Sequence, residues 1–153
     1  LENNGNELKL IINKLKQTVD TQTFKKLELE KCERLVERLT SFSESCEECQ
    51  RKFIEAEEHF SRLDEHIDQL PTSEMKEHKQ FVSQTVAHFE KEHDLVTEGY
   101  YVSLYMSIGL GLGVMFGLTI FDNIGLGIPI GFAIGLAIGS GLDADAKKKG
   151  KTI

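Results

Sequence analysis

The side chains able to do chemistry in this sequence lie in its first two thirds, and each group of them is an incomplete motif. Cys46-Glu-Glu-Cys49 has the spacing of a redox pair or of half a zinc site. Glu90-Lys-Glu-His93 is a single ExxH, the element from which carboxylate di-iron bundles are built. His59 and His66 stand seven positions apart, on one line of a helix. A zinc site needs two more ligands at suitable spacing, and there is no second CxxC and no HxxxH. A di-iron bundle needs a second ExxH and two further glutamates. The histidines therefore read as solvated surface groups. Cys32, Cys46 and Cys49 share an apolar seam and read as small buried hydrophobes. GxSxG, P-loop and HExxH motifs do not occur. The expectation is a non-enzymatic protein with no catalytic residues, metal or cofactor.

Charge narrows the classes of partner. The net charge of −7 is uneven, with residues 1–99 carrying 14 Lys/Arg against 22 Asp/Glu and residues 100–153 four lysines against three aspartates. So acidic an N-terminal part argues against nucleic acid, whose binding is dominated by basic groups on phosphates. It also disfavours lying on an anionic lipid surface. Glu44 to Asp68 holds nine acids against three bases, which serves as a solvated face or as a dock for a basic cytosolic protein. Three cysteines with no disulfide framework fit a reducing compartment. The sequence opens at Leu1, and the residues present contain no signal peptide.

The elements that would carry these groups are helices. Residues 1–6 read as frayed. Leu8, Ile11, Ile12, Leu15 and Val19 predict an amphipathic helix over about 7–19. From Cys32 through Leu35, Leu39, Phe42, Cys46, Cys49, Phe53, Ala56, Phe60, Leu63, Ile67 and Leu70, apolar residues alternate steps of three and four, as in a coiled coil. The spacing predicts a helix over 24–70, ended by Pro71, and another over 73–98 that folds back antiparallel. A straight helix reaching back from Leu70 to Phe24 would outrun the ~39 Å of its partner and push charges into lipid. A break is therefore expected at 40–45, where serines and two Ser-x-x-Glu capping boxes are concentrated.

The rest of the chain is apolar. Val102–Phe121 and Ile124–Leu142 give twenty and nineteen residues without a charge, separated by Asp122 and Asn123. Each matches the length a helix needs to cross a ~30 Å hydrocarbon core, so 100–142 reads as a transmembrane hairpin. Tyr100, Tyr101 and Tyr105 suit an interfacial aromatic belt. Gly109, Gly113 and Gly117 recur every fourth residue in the first run, and Gly127, Gly131, Gly135 and Gly139 in the second. Such spacing lines one helix face with small residues and lets backbones approach. The opposite faces carry Ser103, Ser107, Gly111 and Thr119 on one helix and Pro129, Ala133, Ala137 and Gly141 on the other. Two small faces per helix predict two close neighbours. Self-association through Ala133 and Ala137 follows, with Ser103, Ser107, Gly111 and Thr119 as candidate lumen residues.

With its repeated G-x-x-x-G register, its D-N turn and the following lysines, this stretch resembles the glycine-zipper two-helix membrane modules of bacterial proteins. The resemblance covers about forty residues. It implies oligomerisation in membranes and, for some members, membrane permeabilisation. The tail 143–153 is basic, so the positive-inside rule puts it in the cytoplasm. A hairpin then returns residues 1–99 to that side of a cell membrane. The whole reads as all-α: a cytoplasmic helical coiled-coil hairpin or bundle, then a membrane hairpin. Two functions fit. One is a self-associating pore-forming or membrane-perturbing effector under the control of its cytosolic helices. The other is a membrane tether whose helical domain binds a cytosolic protein.

Overall fold

The computed structural model describes residues 2–153, and Leu1 lies outside the described residues. It is all-helical: α1 Glu2–Thr18, α2 Thr21–Lys26, α3 Leu29–Phe42, α4 Glu47–Glu65, α5 Thr72–Glu92, α6 Tyr100–Thr119 and α7 Ile124–Lys148, with one 3-10 turn at Ile67–Gln69. The chain divides into two compact units, residues 2–92 with Ile153, and residues 93–152.

In the first unit the helices follow apolar spacing, and their breaks follow local backbone chemistry. α1 buries Leu8, Ile12 and Leu15 against α3 and α4, and it starts at Glu2 rather than near residue 7. Asp20 ends that run and caps the next, its Oδ1 accepting the Thr23 N–H at 2.7 Å. The helix expected over 24–70 is three helices. Glu28 takes a left-handed conformation, φ 47°, which separates α2 from α3. The segment between Phe42 and Glu47 turns the chain again, with the Ser43 and Ser45 hydroxyls donating to the Thr40 and Phe42 carbonyls. Serine hydroxyls that bond locally in this way compete with continued helix. The seam therefore does not run along one helix. Cys32, Leu35 and Leu39 of α3 and Cys49, Phe53, Ala56, Phe60 and Leu63 of α4 are all buried, on two helices that pack on each other. A three-four spacing serves a folded-back pair as well as a long coil.

Pro71 precedes α5, which buries Phe81, Val82, Val86 and Phe89. Phe60 meets Phe81 edge-on, ring centroids 6.4 Å apart. α5 stops at Glu92 rather than continuing to 98, and Asp94 is left-handed, φ 51°.

The second unit is the antiparallel pair α6 and α7. Its connection is tight: Asp122 has φ 50°, and the Asn123 side chain accepts the Gly125 N–H at 2.9 Å to start α7. The residues expected to form a basic tail are partly structured. α7 runs to Lys148, and the Lys151 carbonyl accepts the Val96 N–H at 2.9 Å. Residues 93–99 and 143–152 thus belong with the hairpin they flank.

Candidate functional site

The apolar face of the hairpin is its outside. The most apolar windows of α6 and α7 are only 17% and 22% buried. Leu104, Ile108, Leu112, Phe116, Ile130, Ile134 and Ile138 are among the exposed side chains. In water this much exposed apolar surface would be strongly unfavourable. It suits helices whose solvent is lipid, and at 20 and 25 residues both helices are long enough to span it.

Between the helices lie the glycines. Gly109, Gly113, Gly117, Gly127, Gly131, Gly135 and Gly139 are all buried. A Cβ added at Gly113 would stand 2.5 Å from the Gly127 carbonyl oxygen, one at Gly131 2.7 Å from Gly113 Cα, and one at Gly139 2.6 Å from Val102 Cα. At Gly109 the clash would be with the Gly131 carbonyl, and at Gly135 with that of Tyr105. The two backbones are in contact along the whole pair, and no other residue fits. Close contact supplies the dispersion that holds helices together where no hydrophobic force acts between them.

The opposite faces are free within the hairpin. Ser103, Ser107, Thr119, Pro129, Ala133 and Ala137 are exposed, and a Cβ at Gly111 or Gly141 would meet nothing within 4 Å. The Ser107 hydroxyl donates to the Ser103 carbonyl at 2.9 Å and the Thr119 hydroxyl to that of Met115 at 2.8 Å. Their polarity is thus satisfied inside α6, which makes exposure to lipid tolerable.

Residues 91–144 match the glycine zipper membrane protein family. This is a membrane protein, and its glycine zipper is the face on which α6 and α7 meet. No curated protein and no solved structure matches the chain.

The first unit gathers the side chains that were separate in the sequence. His59, read from the sequence as a surface group, is buried, because it sits on α4 one turn from Ala56 and from Leu63 and so shares their face. His59 Nε2 lies 2.8 Å from His78 Nδ1, and His78 Nε2 lies 2.8 Å from the Leu27 carbonyl oxygen. The carbonyl can only accept, so His78 carries its proton on Nε2, and His59 donates to the Nδ1 left open. Both rings are neutral in this chain of bonds. His66 stays exposed and pairs with Glu74 at 3.0 Å. Cys46 and Cys49 do not simply fill the core. Their sulfurs lie 3.5 and 3.3 Å from His88 Nε2 on α5. Burial, and next the Cys46 thiol, push the Cys49 thiol up to about 12, so as a bare thiol it is no nucleophile near neutral pH. Sequence reasoning passed over His88, which belongs to none of the motifs searched for.

Proposed function

We propose that this protein is a non-enzymatic, self-associating membrane protein whose copies meet through the second small-residue face of the hairpin. The observation that carries the reading is the division of labour between faces. The glycine zipper is used up inside one chain, while Pro129, Ala133, Ala137 and Gly141 form a second, exposed small stripe on the opposite face of α7. Neighbouring hairpins packed there would gain the close approach that the zipper already gives α6 and α7. A ring of such hairpins would perturb or perforate the bilayer, with Ser103, Ser107, Gly111 and Thr119 lining its lumen. The lysines Lys147, Lys148, Lys149 and Lys151 support a cytoplasmic position for the open end of the hairpin. Residues 2–92 then act from that side of a cell membrane, as the part that controls assembly.

A second reading rests on the same geometry. Because one hairpin satisfies its own zipper, no second copy is required, and the protein can serve as a tether whose acidic helical unit binds a cytosolic partner.

Replacing Ala133 and Ala137 with leucine separates the readings. If copies pack on this face, cross-linking in membranes and size in mild detergent shift from oligomer to single chain, and bilayer conductance is lost. A wild-type protein that is monomeric in detergent and silent in bilayers leaves the tether.

A further inference from the structure

We propose that Cys46, Cys49 and His88 hold a zinc ion that clamps the start of α4 to the end of α5. The three ligand atoms lie within 4.8 Å of one another, and both sulfurs converge on a single nitrogen, at 3.5 and 3.3 Å. Zinc bonds of ~2.3 Å to sulfur and ~2.0–2.1 Å to nitrogen, at a tetrahedral angle, place a sulfur and a nitrogen about 3.5 Å apart. The observed separations are therefore those of ligands on one ion. A cation between them serves all three.

Local structure supports the same chemistry. Cys46 is the residue before α4, in an extended conformation, and Cys49 lies in that helix's first turn. A cation held between them would take both as thiolates, its own charge driving their deprotonation. The CxxC needs a nitrogen ligand from elsewhere, and His88 on α5 supplies it. Cys32 and His78 are a poorer pair at 3.8 Å, with His78 Nε2 already committed to the Leu27 carbonyl.

The test uses the full chain in mild detergent under reducing conditions. After equilibration with buffered Zn(II) and gel filtration, metal analysis should give one zinc per chain. Co(II) in its place should give the thiolate charge-transfer band and intense d–d bands of a four-coordinate site. Cys49→Ser should lower zinc affinity at least a hundredfold and His88→Ala at least tenfold, whereas Cys32→Ser should leave it unchanged. Should the Cys49 variant misfold, the wild type alone decides, because Zn(II) must raise its melting temperature and chelation must reverse the rise. Substoichiometric zinc, an octahedral Co(II) spectrum, or a melting temperature indifferent to Zn(II) overturns the proposal. Unchanged affinity in His88→Ala overturns the assignment of the imidazole ligand.

Discussion

The Asp143 carboxylate of α7 accepts the backbone N–H of Tyr101 at 3.1 Å, and its second oxygen accepts that of Val102 at 3.1 Å. α6 begins after Gly99, which has no side chain to cap it, so its orphan N–H groups are satisfied by the other helix of the hairpin. The negative charge also complements the helix dipole. With the Val96–Lys151 hydrogen bond and the Glu98–Lys147 pair at 3.6 Å, it ties the open end of the hairpin. Asp143→Ala should cost about 0.5–2 kcal/mol, as loss of a cap does elsewhere, and lower the midpoint of hairpin unfolding in detergent. Asp143→Asn should lose less. Equal midpoints for wild type and the alanine variant would show that the cap contributes nothing.

A matched pair of glycine substitutions tests the zipper. A methyl at position 113 meets the Gly127 carbonyl at 2.5 Å, whereas one at 111 meets nothing. Gly113→Ala should force the helices apart and destabilise the hairpin, while Gly111→Ala should leave it intact. Cysteine cross-links across α6 and α7 read this directly. If both variants cross-link like wild type, the backbones are not in contact at Gly113.

The bundle has its own test. Phe53 and Phe60 are 1% exposed, and truncating either to alanine removes a buried ring from a packed site. The expected loss is ~3–5 kcal/mol, read from denaturant unfolding of the helical signal. A loss near zero would mean that α4 does not face α3 and α5.

These variants touch regions whose legibility in the sequence differed greatly. The hairpin could be read because two uncharged runs and a four-residue glycine period state both its length and its contact face. The bundle could not be read to the same depth. The steps of three and four from Cys32 to Leu70 look alike whether they lie on one helix or on α3 and α4 folded together. Of the two breaks, only the serine-rich one carries a composition signal; the other rests on Glu28 adopting φ 47°, which nothing in its side chain announces. His88 belongs to no metal-binding motif in the sequence, and its approach to Cys46 and Cys49 is set only by how α5 packs on α4. The place of His59 one turn from Ala56 and Leu63 is readable in the sequence, but that His78 and Phe81 of α5 stack on it is a tertiary fact.

That buried histidine predicts how stability depends on pH. Desolvation, then His78 and Arg62, lower His59 to about 4, against a smaller opposing effect of Glu77. His78 is lowered as well, chiefly by burial, although the Leu27 carbonyl and Glu28 act against it and Lys79 with it. Cys32 lies beside the pair at 3.8 Å. For a base whose folded value lies below its unfolded value of about 6.5, the unfolded chain takes up protons first. The stabilisation is therefore fully present above pH 6.5 and is lost as the pH falls toward 4. The loss should amount to roughly 1–3 kcal/mol. Carboxylates with lowered values, such as Glu48 and Glu77, weaken the fold in the same direction but only at more acid pH, so the window from 6.5 to 5 isolates the histidines. Melting temperatures of the full chain in detergent should fall across that window. In His59→Gln, which keeps a donor toward His78 but cannot be protonated, the fall should be much shallower, even though the variant starts from lower stability. A His59→Gln profile parallel to that of the wild type between pH 6.5 and 5 would show that the pair does not titrate with folding.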